Sequence, residues 1–263
     1  MAQDQGQTGG TPTLSPGEMP RLSVVVPVYN EADNVLPLLD EILAAVTGRG
    51  LVEVIFVDDA SSDDTTARFR PRLVRPRVGG EPIVRLLHHT LRAGQSAAVR
   101  TGVKAARGEW VATLDGDGQN DPADIPKLLD MISASGGPLL VGGLRVKRRD
   151  TWSRRAAGRF ANSLRQTLLR DGCSDTGCGL KLFRRDAFLD LPAFNAQHRF
   201  LPALFRAHGH ATAFVAVNHR PRERGVSKYS NLNRALIGIL DLFGVWWLRR
   251  RTRLTGPVLE EQP

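Results

Sequence analysis

The sequence predicts an α/β domain: a mixed, mainly parallel sheet with helices on both faces, and an amphipathic helix behind it. Three observations carry that expectation. Short β-branched or apolar runs alternate with segments whose apolar residues recur at helical spacing. Three of the runs end in polar turns, at 28–31, 58–65 and 115–121. A further stretch at helical spacing, 231–253, ends in a cluster of arginines. A length of 263 residues suffices for one large domain or two small ones, and 41% apolar residues is compatible with a folded core.

The elements follow in order. Residues 1–20 are rich in Gln, Gly, Thr and Pro and read as a disordered tail, not a signal peptide. Leu22-Ser23-Val24-Val25-Val26-Pro27 is a buried strand, and Val35, Leu38, Leu39, Ile42, Leu43 and Val46 make one face of a helix that ends at Thr47-Gly48-Arg49-Gly50. Val52–Val57 is a second strand, and the Ser/Asp cluster after it offers caps for the next helix. Ile83–Leu87 is a third, followed by a helix led by Gly94-Gln95-Ser96. Glu109–Thr113 is a fourth, with a helix from Ala123 to Ile132 behind it, and Pro138–Gly142 a fifth. Beyond these lie a basic stretch from Arg145 to Arg159, a helix through Phe160, Leu164, Leu168 and Leu169, and a strand-like run, Leu180–Arg184. His198–Pro202 starts another helix and Thr212–Val217 is a strand. No internal repeat is present.

The net charge is +9, from 36 basic and 27 acidic residues, which points to an anionic partner. Between Arg145 and Arg185 stand twelve Lys/Arg against three Asp/Glu. Nucleic acid is a poor fit: aromatics make up only 6% of the chain and no nucleic-acid module is recognisable. Cys173 and Cys178 make no disulfide framework or zinc spacing and read as small buried thiols. The turn after the first strand lacks the glycine pattern of dinucleotide dehydrogenases, and no P-loop is present.

The stretch Leu114-Asp-Gly-Asp-Gly-Gln-Asn-Asp121 carries the chemistry. Asp115, Asp117, Gln119 and Asp121 stand at alternate positions on a turn loosened by Gly116 and Gly118. Such oxygen donors suit Mg²⁺ or Mn²⁺, which take one or two protein ligands and fill the rest with phosphate and water. A calcium EF-hand is excluded, because Asn120 stands where the sharp-turn Gly belongs and Pro126 where the bidentate Glu belongs. In open parallel sheets ligands sit at the carboxyl ends of the strands, where all three polar turns fall. The residues thus describe a nucleotide-sized cleft with a metal site.

Five motifs in order are Val26-Pro27-Val28-Tyr29-Asn30-Glu31, Val57-Asp58-Asp59 through Thr65, Asp115–Gln119, Asp175-Thr176-Gly177-Cys178-Gly179 through Arg185, and Arg222-Glu223-Arg224-Gly225-Val226-Ser227-Lys228-Tyr229. In this combination the chain resembles the family-2 glycosyltransferases of the dolichyl-phosphate mannose synthase type, including bacterial polyprenyl-phosphate sugar transferases. The resemblance implies a GT-A, Rossmann-like domain over 21–230 and a nucleoside-diphosphate sugar as donor, with GDP-mannose the first expectation. It implies that Pro27, Tyr29, Glu31 and Asp59 hold base and ribose, that Asp115 lies beside the sugar–nucleotide, and that Asp117 with Gln119 holds the metal. Asp115 and Asp117 are the candidate catalytic residues. Arg159, Lys181, Arg222, Ser227 and Lys228 would face the phosphate of a polyprenyl acceptor, with inversion at the anomeric carbon. Many relatives carry Arg where this chain has Lys181, which keeps the charge and loses the bidentate fork.

Two rivals remain at this point: a same-fold enzyme acting on a hydroxyl acceptor, and a non-catalytic nucleotide-sugar binder. Leu232 to Trp247 is too short, and interrupted by Asp241, to cross a bilayer. Its aromatic and basic end predicts an interfacial helix, 231–253, ahead of a short tail at 254–263. The alternative is an ordinary helix packed on the domain. The expected location is cytoplasmic, peripheral on the membrane surface, with or without a membrane-protein partner.

Overall fold

A computed structural model describes residues 21–73, 81–135, 137–146, 162–221 and 231–253. Of the expected site residues, Arg159, Arg222, Ser227 and Lys228 lie outside these ranges, as do both expected tails. Seven strands form one sheet: β1 Leu22–Val28, β2 Val52–Asp58, β3 Ile83–His88, β4 Trp110–Thr113, β5 Leu140–Arg145, β6 Lys181–Arg184 and β7 Thr212–Val217. Their order is β3-β2-β1-β4-β6-β5-β7. The first four are parallel, β6 runs antiparallel between β4 and β5, and β5 pairs parallel with β7.

The strands are apolar on both faces because both are covered. Val24, Val26, Val54, Phe56, Ala112 and Leu182 point into one core, and Val25, Ile55, Val57, Val111 and Phe183 into the other. On the first side lie α1 Val35–Val46, α2 Thr65–Leu73 and α4 Ile125–Ser135. On the second lie α3 Gln95–Ala105, α5 at 162–169, α6 Arg185–Leu189, α7 Leu201–Ala207 and α8 Asn231–Arg251. At the amino end of the sheet Glu53 is fully buried, a costly position for a carboxylate. It is paid for by hydrogen bonds from Ser23 Oγ at 2.6 Å and Arg85 Nη1 at 2.9 Å.

Two local features differ from the sequence reading. The helix expected from Ala123 begins instead as a 3-10 turn, Pro122–Asp124, because Asp121 caps it by accepting from the Ala123 N–H at 3.1 Å. The run 180–184 is a central antiparallel strand, and its register sets Lys181 opposite Thr113. Apolar alternation marks a doubly buried strand without encoding its direction. Among the described residues no helix is long and apolar enough to cross a membrane.

Candidate active site

The sheet order reverses between β1 and β4, so their carboxyl ends diverge into a crevice at the topological switch point. Because β6 is antiparallel, its start reaches the same edge, and the ends of β5 and β7 open there too. The fold therefore gathers 28–31, 58–65, 115–121, 175–181 and 218–220 on one rim.

The turns after β1 and β2 are knitted together. Ser61 Oγ accepts from Asn30 N at 2.8 Å, Thr65 Oγ1 accepts from Glu31 N at 2.9 Å, and Asn30 Oδ1 accepts from Ser62 N at 2.8 Å. Tyr29 is half-buried, with the Arg92 guanidinium 4.0 Å above its ring. Glu31 accepts from Asn34 Nδ2 at 2.6 Å. Pro27 is buried within β1. Asp59 is buried with both oxygens engaged, by Ala93 N at 2.8 Å, Gly94 N at 2.7 Å and His89 Nδ1 at 2.8 Å. Burial alone pushes the Asp59 carboxyl up, but the Ala93, His89 and Gly94 donors outweigh it and hold the group below the usual carboxylate range. Through these contacts Asp59 ties the 89–94 loop to the end of β2.

Asp115 lies where β4 ends. Its Oδ1 accepts from Gln95 Nε2 at 2.7 Å, and its backbone N–H donates to Asn120 Oδ1 at 3.0 Å. A Cβ on Gly179 would fall 2.3 Å from Asp115 Oδ2, so a residue without a side chain is required there. Burial pushes the Asp115 carboxyl up and the charge of Asp117 adds to it, against Lys181, Gln95 and Arg145. The Asp115 and Asp117 carboxylates, with the Gln119 amide on the same loop, are oxygen donors of the kind a hard divalent cation takes. Among the described residues no group of three His, Cys, Asp or Glu side chains could hold an ion unaided. Asp121, the fourth oxygen of the alternating run, is committed elsewhere: it caps Ala123 and accepts from Asn218 Nδ2 at 3.0 Å and Arg220 Nη2 at 2.7 Å.

From the second half, Lys181 is buried and its ammonium donates to the Cys178 carbonyl. Its charge acts on Asp115 across the β4–β6 pair. Arg145 grips Asp175 with a two-pronged contact, Nε and Nη2 each at 2.6 Å, and fixes the 175–179 turn to the end of β5.

Sequence reasoning missed the contacts of Arg220. Its side chain bridges Glu41 at 2.6 Å and Asp121 at 2.7 Å, and its N–H donates to the Gln119 carbonyl at 2.9 Å. Gln119 Nε2 in turn donates to the Arg220 carbonyl at 3.4 Å. A cavity of about 130 Å³ between α1 and this clasp is lined by Asn34, Glu41, Asp117 and Arg220. His198 was also missed: its Nδ1 lies 2.6 Å from Ser96 Oγ, and burial, then Lys181 and Arg199, push its pKa down to about 3. Neither residue has a local motif that would have marked it.

The sheet and the rim at its switch point have the arrangement of a GT-A fold, and comparison with known proteins gives the same class. Residues 23–191 match the model of glycosyl transferase family 2, and the chain belongs to that family. It is 35% identical over 242 residues to a dodecaprenyl-phosphate galacturonate synthase of Rhizobium johnstonii, covering 90% of this chain and 70% of that protein. It is 36% identical over 209 residues to an undecaprenyl-phosphate 4-deoxy-4-formamido-L-arabinose transferase of Edwardsiella ictaluri, covering 79% of this chain and 62% of that one. Glucosyl-3-phosphoglycerate synthase of Mycobacterium tuberculosis, crystallised with Mn²⁺, UDP-glucose and phosphoglyceric acid, shares the fold at a TM-score of 0.65 and 20% identity, over 90% of this chain and 82% of that chain.

Proposed function

We propose that the protein transfers a sugar from a nucleoside diphosphate to a polyprenyl phosphate, with Mg²⁺ or Mn²⁺, at the cytoplasmic surface of a membrane. The observation that carries the reading is the Asp115–Asp117–Gln119 loop at the switch point, faced by the buried Lys181 on the neighbouring strand. The relatives' names support a lipid-phosphate acceptor, and their sugars are galacturonate and formamidoarabinose. Mannose, the first expectation, gains no support from them and stands as one candidate among several.

Asp117 and Gln119 are the residues that hold the metal in this reading. When bound, the cation neutralises the charge that builds on the departing diphosphate. Tyr29 and Glu31 border the base and ribose, and Asp59 keeps the 89–94 loop in place beneath them. Asp115, anchored by Gln95, lines the sugar side. The acceptor phosphate is already anionic, so it needs positioning and shielding from water more than a general base. Lys181 supplies a fixed positive charge close to the reacting centre; Arg159, Arg222, Ser227 and Lys228 complete the acceptor side.

A second reading has one observation in its favour. The upward shift of Asp115 suits a general base, which a hydroxyl acceptor would require. One experiment separates the two. Purified protein is incubated with radiolabelled nucleotide sugars and either undecaprenyl phosphate or undecaprenol, with Mn²⁺ or with EDTA. Label entering the phosphate lipid alone, and only with metal, is the expected result; label in undecaprenol would favour the second reading, and label in neither would reject both.

A further inference from the structure

Asp115 is held by a glutamine that itself needs holding. Gln95, which donates to Asp115 Oδ1 at 2.7 Å, is exposed on the first turn of α3. A long exposed side chain gives up rotamer freedom to keep one contact, so the backbone beneath it must be fixed. The usual fixture is missing here: Gly94 precedes the helix at a φ of 91°, and no side chain caps α3. Two other contacts take its place. From the donor side, the Asp59 carboxylate accepts from Ala93 N at 2.8 Å and Gly94 N at 2.7 Å. From the second half of the chain, a turn at 195–199 closes on the same helix end. Its His198 Nδ1 lies 2.6 Å from Ser96 Oγ, which also accepts from His198 N at 3.4 Å. Asn195 abuts Gly94, where a Cβ would meet its Oδ1 at 3.8 Å.

This second clamp joins residues 102 apart in the chain. Ser96 is buried, so its hydroxyl is satisfied within the protein. The turn that supplies His198 is locally strained. Ala196 takes a left-handed φ of 65° without being glycine, and among the described residues the buried Gln197 Nε2 has no protein partner. Features of this kind persist where the surroundings over-determine them, and they cluster at functional sites. Burial, and after it the charge of Lys181, keep the His198 ring neutral, and the same ammonium bears on Asp115. His198 and Asp115 therefore share one neighbourhood, to which the imidazole brings a fixed contact and no charge.

We propose that His198, acting through Ser96, is a positioning residue for Asp115: it fixes the first turn of α3, and with it the Gln95 amide that sets the Asp115 carboxyl. The contacts run His198–Ser96, along the helix to Gln95, and on to Asp115. Through them the second half of the chain controls the sugar side of the cleft. The effect on turnover rests on the sugar-transfer reading; the chain of contacts does not.

The test is a double-mutant cycle read in the rate of transfer to undecaprenyl phosphate, with crystal structures of the variants beside it. Gln95→Ala and His198→Leu are each expected to lower kcat by about tenfold, since a misplaced group near the reacting atoms is costly. The KM for the nucleotide sugar should move by no more than about twofold, because the donor turns are untouched. The double variant should fall no further than Gln95→Ala alone, where independent losses would multiply to about a hundredfold. His198→Asn, whose amide can stand where Nδ1 does, should recover most of the rate. Ser96→Ala is the smaller change and should repeat the kcat loss with wild-type circular dichroism, which covers a His198→Leu that folds poorly. In the crystal structures the Gln95–Asp115 hydrogen bond should be absent from Ser96→Ala and His198→Leu and present in His198→Asn. Losses that multiply in the double variant, a raised KM at unchanged kcat, or an intact Gln95–Asp115 contact in Ser96→Ala would each overturn the proposal. A wild type that transfers no sugar would reject the enzymatic reading, and the crystal structures alone would then decide whether His198 sets Asp115.

Discussion

Asp115 and Asp117 stand two residues apart on one loop, yet their surroundings give them different work. Asp115 is walled in by Gln95, Gly179 and Lys181, whereas Asp117 lines the open cavity beside α1. Replacing Asp117 with Ala is therefore expected to weaken Mn²⁺ binding in the presence of nucleoside diphosphate and to lower turnover by about 10²–10³-fold, the usual cost of losing one electrostatic contact to developing charge. Titration of Mn²⁺ followed by electron paramagnetic resonance checks the first half; unchanged affinity would remove Asp117 from the metal site. His198 gives a residue-scale prediction of another kind. Its folded pKa of about 3 lies below the ordinary value of 6.5. Between those values the unfolded chain binds a proton that the folded chain refuses, so stability falls as pH drops below about 6.5, by up to about 1.4 kcal/mol per pH unit. Urea denaturation of His198→Asn across this range should show a shallower slope than wild type; equal slopes would mean that His198 takes up its proton in the fold.

At the scale of elements, the crevice depends on how the strand ends are tied together. Arg220, just beyond β7, reaches Asp121 after β4 and Glu41 on α1. Burial works against its charge, but the two carboxylates outweigh it and raise its pKa. Ion pairs this exposed contribute only about 0–1 kcal/mol each. Arg220→Ala is therefore expected to lower the melting temperature by a few degrees at most. Its larger effect should be a several-fold loss of Mn²⁺ affinity, because the side-chain clasp on Glu41 and Asp121 fixes the backbone whose carbonyl holds the Gln119 amide. Arg220→Lys should restore part of that affinity, and Glu41→Gln should do less harm than either loss at Asp121 or at Arg220. A variant with wild-type metal affinity would show that the clasp is merely structural. This contact also marks where the sequence stops being informative. The strands β1 to β5 and the loop at 115–121 were legible, because doubly buried strands and oxygen-rich turns leave periodicity and composition behind. The direction of β6 was not, since alternation is the same read either way. Nor was the fate of Asp121, whose partner lies 99 residues away. Asp59 was legible as part of a polar turn, but its commitment to the Ala93 and Gly94 amides follows from a loop whose path only the folded chain reveals.

For the whole molecule, donor and metal are expected to act as one ligand of the folded state. In the proposed site the donor turns would come from β1 and β2 and the metal loop from β4, and the Arg220 clasp comes from the far end of the sheet at β7. The unfolded chain holds none of these together, so a nucleoside diphosphate bound through the metal favours the folded state by mass action. At a ligand concentration about a hundred times its dissociation constant the stabilisation is about 2.7 kcal/mol. For a domain of this size that corresponds to a rise of about 5–10 °C in melting temperature. A thermal-shift panel of UDP, GDP, CDP and ADP, each with Mn²⁺ and with EDTA, should show one base raising the melting point well above the others, and only with metal. Such a result would name the donor base, which neither the relatives' sugars nor the Tyr29–Glu31 turn specifies. Equal shifts for all four would mean that the site grips the diphosphate and leaves the base unread. A shift that survives EDTA would detach nucleotide binding from the Asp117–Gln119 loop altogether.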